Sequence, residues 1–349
     1  MPGGPVRADR GSPCSRLLAA IVAGATVAAQ SACRSPAPGP IERVTVPPKA
    51  RFSAVADSLA AHGVIRNRLW FKIVARVKGV DRTTKAGVYE LARDAPIGDV
   101  LQALAEGRTA SARLTIPEGL MIPEVAAIVA ERVGIPADSF IAAARDSGLA
   151  RELGVRGSSL EGFLRPETYA VPLGSSAGDV VRMMVESFNA EWRPEWTARL
   201  DTLGMRRIEL LTLASIVEGE ARADDERETI AGVYRNRLRI GMPLQADPTV
   251  QYAILLATGR RKPRLYEKDY LFPSPYNTYL HPGLPPGPVN SPSRRSIEAA
   301  LYPAQVPYLY FVAGPDGRHV FSRTYAEHLR NVVRVRRLER QLEGTGATK

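Results

Sequence analysis

The amino-acid sequence predicts an α+β protein, in which short strand–turn–helix segments precede a mainly helical domain with a β-hairpin near its end. Residues 44–65 and 114–135 align without a gap, and each segment has a short strand pattern, a proline-containing turn and an amphipathic helix. Farther along, apolar residues recur at helical spacing. Two short apolar runs then flank the turn sequence at residues 314–317, which predicts the hairpin.

The first 33 residues are typical of an export signal or membrane anchor. Arginines precede a short apolar stretch, Leu17 to Ala29, which is shorter than a membrane-spanning helix requires. Small residues then lead to Cys33 and a linker rich in proline and serine, residues 34–43, as at a bacterial lipoprotein cleavage site. The pattern fits a lipid anchor on Cys33 or a retained signal anchor. Both predict an exported chain attached to the cytoplasmic (inner) membrane.

Charge and cysteine content limit the classes of function. The net charge is +11, which favours an anionic partner such as nucleic acid, acidic lipid or an acidic cell-wall polymer. Export argues against nucleic acid. Cys14 and Cys33 are the only cysteines, so the exported part can form no disulfide and use no thiol chemistry. The four histidines are scattered and no nucleotide-binding motif occurs, which predicts no metal and no cofactor.

The chain is predicted to have two folded regions after the linker. Residues 44–135 contain both copies of the strand–turn–helix pattern, with another strand at 85–91 and a helix from Ile97 to Glu106 between them. Residues 136–343 are predicted to be mainly helical. Proline, glycine and aromatic residues at 160–169 indicate an ordered loop or short strand there.

An almost wholly apolar run, Ile208 to Val217, predicts a buried helix that ends in Glu218. A carboxyl group at that position is expected to be partly desolvated, which raises its pKa and suits it to general acid catalysis. The alternative is an acid at a helix end that pairs with Arg222 on the next turn. Glu220 projects about 200° away from Glu218 on a helix. A glycosidase with two carboxylates would therefore need its second one from elsewhere, the candidates being Glu161, Glu167 and Asp247.

Two further helices follow in the pattern. Asp225 and Glu228 predict a helix start, and Gly241 predicts its end. After the hairpin, a helix from Thr324 is predicted to turn Tyr325, Leu329, Val332 and Leu338 inward.

Two segments have the composition of a sugar-binding cleft, residues 244–252 and 275–279. Amide and hydroxyl groups can bind sugar hydroxyl and N-acetyl groups, and tyrosine rings can stack on pyranose rings, while the proline- and glycine-rich segment 281–288 would keep the loop rigid. The predicted substrate-binding residues are Gln245, Asp247, Thr249, Tyr252, Tyr276, Asn277 and Tyr279.

Ordered motifs in this region resemble those of the MltG/YceG-like endolytic murein transglycosylases. The motifs are residues 214–220, 232–238, 244–250, 276–279 and 283–288, and the strands at 308–313 and 319–322 continue the resemblance. It covers about residues 44–335. It implies a LysM-like module joined to a catalytic domain at the outer face of the cytoplasmic membrane, with Glu218 as the catalytic acid. The sequence departs from the family pattern at Arg165, Glu167 and Ser291-Pro292-Ser293.

The resemblance also implies a reaction. The bond between N-acetylmuramic acid and N-acetylglucosamine would be cleaved without water. Glu218 would protonate the glycosidic oxygen and then take the proton from the muramyl O6, which closes an anhydro ring. Expected partners are peptidoglycan glycan strands, the membrane and the wall-synthesis machinery. The alternatives are a hydrolysing muramidase that uses Asp247 as second carboxylate, and a non-catalytic wall protein that binds glycan through its modules.

Overall fold

The computed structural model describes residues 39–155, 157 and 159–346. The predicted signal or anchor segment, including Cys14 and Cys33, lies outside the described residues. The chain divides into two compact units between Thr109 and Ala110. Among the described helices, none is both long enough and apolar enough to cross a membrane.

The first unit has the order strand, two helices, strand, helix. Its elements are β1 (Ile41–Val46), α1 (Phe52–Ala61), α2 (Arg68–Val77), a 3₁₀ turn (Val80–Arg82), β2 (Gly87–Ala92) and α3 (Ile97–Glu106). β1 pairs antiparallel with β2, and Val44 lies opposite Tyr89. Apolar residues that alternate along both strands face the helices, because successive side chains of a strand point to opposite sides. The predicted helix from Ile97 to Glu106 is confirmed.

The second unit is mainly helical. Its elements are β3 (Ser111–Thr115), α4 (Ile122–Val133), α5 (Ala137–Ala144), α6 (Ser147–Glu152), β4 (Thr168–Pro172), α7 (Ala177–Glu191), α8 (Pro194–Leu203), α9 (Arg207–Glu220), a 3₁₀ turn (Asp224–Glu226), α10 (Arg227–Arg239), α11 (Asp247–Thr258), a 3₁₀ helix (Glu267–Leu271), α12 (Arg294–Leu301), β5 (Tyr310–Ala313), β6 (His319–Ser322) and α13 (Tyr325–Gly346). The predicted α+β class, with a mainly helical domain and a hairpin, is confirmed.

Helix α9 is the centre of the second unit. It packs against α10, α11 and α12, and all of its residues from Leu210 to Val217 are buried. Its first turn is held by a reciprocal cap, in which Glu209 accepts from the backbone N–H of Arg206 at 2.8 Å. The predicted buried helix is confirmed.

Both copies of the strand–turn–helix pattern form a strand and a helix, but they belong to different units. The second copy consists of β3 and α4, and β3 pairs antiparallel with β4, placing Leu114 opposite Tyr169. Val125 and other apolar residues of α4 lie in the core of the second unit. The structural boundary therefore lies at Thr109, whereas the sequence placed it after Ile135, because a pattern of local elements does not show which core an amphipathic helix enters.

The last helix is less buried than its pattern predicts. Tyr325, Leu329 and Leu338 are exposed, whereas Val335 is buried. The predicted inward face is therefore wrong for these three residues. α13 packs on the small hairpin of β5 and β6, which covers only a narrow stripe of the helix.

Candidate active site

The end of helix α9 places Glu218 and Glu220 in different surroundings. Glu218 accepts hydrogen bonds at Oε2 from the Ser293 backbone N–H at 2.9 Å, from the Ser293 hydroxyl, and from the Ser296 hydroxyl at 2.7 Å. Its Oε1 accepts from Arg227 Nη2 at 3.3 Å, and the side chain is 7% exposed. These hydrogen bonds tie the end of α9 to α10 and to the start of α12.

The carboxyl of Glu118 also lies near this cluster. Glu118 is exposed on the loop before α4. The pKa of the Glu118 carboxyl is raised, mainly because the surrounding protein takes away part of its solvent and secondly because the charge of Glu218 is close. A β-carbon added to the adjacent residue, Gly119, would lie 3.6 Å from Cγ of Glu218. The loop before α4 therefore runs close to the end of α9.

Glu220 lies on the other side of the helix, as the helical spacing predicts. Its Oε1 accepts from the Tyr234 hydroxyl at 3.1 Å, and its carboxyl also accepts from the backbone N–H of Asp247. The pKa of Glu220 is raised to about 7, mainly by burial and secondly by the charge of Asp247. Glu220 is half-buried as a residue.

Glu220 opens on a polar pocket of ≈ 310 Å³. Such a volume is at the lower end of the range of small-ligand sites. The pocket is lined by residues of α9, α11, the hairpin and the loops between them: Gly219, Glu220, Arg222, Gln245, Asp247, Pro248, Gln251, Pro263, Tyr279, Phe311, Val312, Ala313 and His319.

Three predicted substrate-binding residues line this pocket: Gln245, Asp247 and Tyr279. The Tyr279 hydroxyl donates to Oδ1 of Asp247 at 2.7 Å, and burial raises the pKa of Asp247. Gln245 has a φ of 49°, a left-handed conformation that costs a residue other than glycine about 1–3 kcal/mol. A hydrogen bond from its N–H to the Thr278 carbonyl, 3.1 Å long, holds that conformation at the pocket wall.

Two predicted residues lie below the surface. Thr249 and Asn277 are fully buried. The Thr249 hydroxyl is bonded to the Ala246 carbonyl and to Thr278, and the Asn277 amide donates to the carbonyls of Tyr270 and Phe272. Their polar atoms are thus satisfied within the protein, and both residues brace the two cleft segments against each other where the sequence predicted contact with substrate.

The remaining two predicted residues surround a different carboxyl. Tyr252 is buried, and its ring contacts that of Tyr276 edge to face with centroids 4.9 Å apart. Both lie beside Glu161, which accepts from the Ile122 N–H at 3.3 Å. Burial raises the pKa of Glu161 to about 8, so this carboxyl is a neutral core group at pH 7.

The second-carboxylate candidates are therefore separated by their contacts. Glu161 is buried, and Glu167 accepts from the Ser187 hydroxyl at 2.9 Å and pairs with Arg165. Only Asp247 lies beside a glutamate of α9, and that glutamate is Glu220.

The structure also brings in residues that the sequence reasoning missed. Tyr234 binds Glu220, and Arg227 and Ser293 bind Glu218. His319 lines the pocket, and its Nδ1 lies 2.8 Å from Glu226 Oε2, with the side chain 2% exposed. Their partners are up to 93 positions away in the chain, so residue spacing could not reveal these contacts.

Close packing positions the two pocket carboxyls. A β-carbon on Gly219 would lie 2.6 Å from Cγ and 2.7 Å from Cβ of Pro248, well inside the usual carbon–carbon separation of about 3.5–4.0 Å. Because Gly219 precedes Glu220 and Pro248 follows Asp247, this contact fixes the approach of α9 to α11. Among the described residues, no group of three or more His, Cys, Asp or Glu could hold a metal ion.

The fold is α+β, and its pocket places the Glu220 carboxyl, with its raised pKa, beside the Asp247 carboxyl. A carboxyl whose pKa lies near 7 in a pocket is a candidate for general acid–base catalysis. The YceG-like family matches residues 44–334. The chain belongs to the YceG-like family.

Similar proteins support this membership. The endolytic murein transglycosylase of Bacillus subtilis strain 168 is 33% identical over 301 residues, covering 82% of this chain and 82% of that protein. The enzyme of the same name from Streptococcus pneumoniae serotype 2 strain D39 is 31% identical over 322 residues, and the match spans 83% of this chain but only 57% of that longer protein. A crystal structure of a putative YceG-like protein from Listeria monocytogenes superimposes with a TM-score of 0.58 at 31% identity, covering 84% of this chain and 99% of the other.

Proposed function

We propose that this protein is a peptidoglycan lytic transglycosylase that cleaves glycan strands internally, between N-acetylmuramic acid and N-acetylglucosamine. The names of the Bacillus and Streptococcus relatives support the substrate and the reaction class. The observation that carries the proposal is Glu220, a carboxyl with a pKa of about 7 that opens on a polar pocket. Such a group is protonated in a large fraction of molecules at neutral pH and can still ionise.

Glu220 is the general acid and base in this proposal. The sequence-based assignment of that role to Glu218 stays a prediction, but the contacts of Glu218 favour a different role. Both of its oxygens accept hydrogen bonds within the protein, from Arg227, Ser293 and Ser296. Glu218 would then hold α10 and α12 in place, and Glu220 would exchange the proton.

The reaction needs one such group. The Glu220 carboxyl donates its proton to the glycosidic oxygen, and the bond from that oxygen to C1 of the muramyl residue breaks. The resulting carboxylate takes the proton of the muramyl O6 hydroxyl as that oxygen bonds to C1. The products are a 1,6-anhydro end and a free hydroxyl on the released strand, with no water consumed. Gln245 and Tyr279 would hold the sugar in the pocket, and the charge of Asp247 keeps the pKa of Glu220 high.

A hydrolysing muramidase is the second candidate because Asp247 lies beside Glu220. That carboxylate could activate a water on the opposite face of the sugar. The Tyr279 and Tyr270 hydroxyls donate hydrogen bonds to this carboxylate, which stabilises its charge and weakens it as a base. These contacts therefore favour the transglycosylase activity over the muramidase activity.

We also propose that residues 1–33 attach the enzyme to the outer face of the cytoplasmic membrane, so that it meets glycan strands where the wall-synthesis machinery releases them. The short apolar stretch and Cys33 support this attachment. A Cys33→Ser protein that loses labelling by a fatty-acid analogue would identify a lipid anchor. Unchanged labelling would contradict it.

The test of the function is digestion of purified glycan strands, with mass spectrometry of the new ends. An anhydro end is lighter than a hydrolysed end by one water. Glu220→Gln should lower turnover by roughly 10² to 10⁴-fold, because the amide can neither donate nor accept the proton. Glu209→Gln, on the first turn of the same helix, is the control and should retain turnover.

Glu218→Gln separates the two glutamates. It should reduce the stability of the second unit and retain measurable cleavage with the same products at temperatures where it is folded. If folded Glu218→Gln is inactive and Glu220→Gln is active, the assignment of the acid is wrong. Product ends that carry reducing muramic acid would contradict the transglycosylase proposal and identify the protein as a hydrolysing muramidase.

A further inference from the structure

Helix α2 of the first unit carries an apolar face that the described residues leave exposed. Its exposed apolar side chains are Leu69 (72%), Trp70 (55%), Ile73 (48%) and Val77 (83%). At about 100° per residue, these four positions fall within an arc of about 100° on one side of the helix. Large apolar side chains that are exposed together on one face mark an interaction surface, whereas single ones are common.

The opposite side of α2 is fixed in the core of the first unit. Phe71 and Ala75 are fully buried, and the Phe71 ring stacks on Phe52 with centroids 5.7 Å apart. The side chain of Asn67 accepts from the Trp70 N–H at 2.9 Å and caps the start of the helix. Packing on the core side and the hydrogen bond at the helix start therefore set the direction in which the exposed face points.

The surroundings of this face are strongly basic. Residues 58–80 contain no Asp or Glu, and their basic residues are Arg66, Arg68, Lys72, Arg76 and Lys78. Arg66 pairs with Asp94, and Arg68 and Lys72 pair with Asp57. Arg76 and Lys78 are exposed and form no ion pair within the part of the chain that the structure describes.

We propose that α2 docks on the surface of an anionic phospholipid bilayer. The apolar face enters the boundary between headgroups and acyl chains, Trp70 lies at the headgroup level, and Arg76 and Lys78 contact lipid phosphates. Interfacial helices combine these features: an apolar face with Trp and Leu, and a polar face rich in Lys and Arg. A second copy of the chain fits this surface less well, because pairing of two such faces would bring like charges together.

Chain length agrees with this occupant. Residues 34–40 separate the predicted anchor at Cys33 from β1, and seven residues span no more than about 25 Å even when fully extended. An anchored chain therefore keeps the first unit close to the bilayer. Docking through α2 involves the first unit alone and is independent of the proposed enzymatic activity.

The test is tryptophan quenching in the full chain, reconstituted in vesicles that contain brominated lipid. The fluorescence of Trp70 is obtained by subtracting the spectrum of the Trp70→Phe chain from that of the native chain. This subtraction removes the fluorescence of Trp192 and Trp196. In vesicles of phosphatidylcholine with phosphatidylglycerol, this signal should fall by roughly half, since an interfacial ring lies at the depth of the acyl boundary. In vesicles of phosphatidylcholine alone, and in high salt, the quenching should weaken.

Matched variants separate the two parts of the surface. Ile73→Glu with Val77→Glu should abolish the quenching of Trp70, and Arg76→Gln with Lys78→Gln should reduce it only in anionic vesicles. These positions are exposed, so circular dichroism should show the native fold in both variants. A Trp70 signal that is insensitive to brominated lipid overturns the proposal. So does shielding of Trp70 from acrylamide without lipid, which would indicate a second copy if it depends on concentration and internal packing if it does not.

Discussion

Replacement of Gly219 by alanine tests whether the contact between α9 and α11 sets the geometry of the pocket. The new β-carbon would lie 2.6 Å and 2.7 Å from two carbons of the Pro248 ring. Relief of that overlap requires a shift of about 1 Å toward normal carbon–carbon separation. Pro248 cannot move alone, because its ring is part of the first turn of α11.

The energy of this change has two opposing parts. Overpacking costs about 1–3 kcal/mol, and alanine in place of glycine within a helix returns about 1 kcal/mol. We expect a net loss of about 0–2 kcal/mol in the free energy of unfolding. The effect on catalysis should be larger, because displacement of reacting groups by about 1 Å can reduce the rate by about 10²-fold, and the shift separates Glu220 from Asp247.

Urea unfolding and digestion of glycan strands measure the two effects. Gly178→Ala on α7 is the matched control, because the nearest atom to its new β-carbon is Ser176 Oγ at 3.8 Å. That variant should unfold at equal or higher urea concentration with normal cleavage. A Gly219→Ala protein that matched the control in both stability and cleavage would refute the argument that this contact positions the site.

Other predictions concern the titrating groups of the second unit. Asp247→Asn removes a negative charge that raises the pKa of Glu220. A charge close to a carboxyl typically shifts its pKa by about 1–3 units. The alkaline limb of the cleavage rate should therefore move to lower pH by about one unit, and an unmoved limb would contradict the coupling. Glu161 has its pKa raised to about 8 from 4.5, so its contribution to stability is full below pH 4.5 and is lost as the pH rises through 8. In urea unfolding, Glu161→Gln should be more stable than the native chain by about 3–5 kcal/mol above pH 8 and equal to it near pH 4.5. Free energies of unfolding that change with pH in the same way for both proteins would disprove this. His319→Ala should cost about 2 kcal/mol in the same measurement, because the nearly buried carboxylate of Glu226 loses the Nδ1 donor, and an unchanged midpoint would show that this contact contributes nothing.

Much of the fold follows from local pattern. The run from Ile208 to Val217 has no polar side that could face water, so it had to form a buried element, and helix formers without glycine or proline made that element a helix. The hairpin followed from a Gly-Pro-Asp-Gly turn between apolar runs. The inward face of α13 did not follow, because its apolar residues are spread around the helix and only contact with the hairpin selects Val335.

The sequence by itself determined that a glutamate leaves a buried helix near polar and aromatic segments, and that Glu218 and Glu220 face apart, since helical periodicity alone separates positions two residues apart. Tertiary structure decided which glutamate meets the pocket. Arg227 and Ser293 surround Glu218, while Asp247 and Tyr234 surround Glu220. These partners lie on other helices and loops, and their approach depends on packing such as that of Gly219 on Pro248. Desolvation and neighbouring charge are properties of that assembled environment, which is why the pKa of each carboxyl could not be read from residue order.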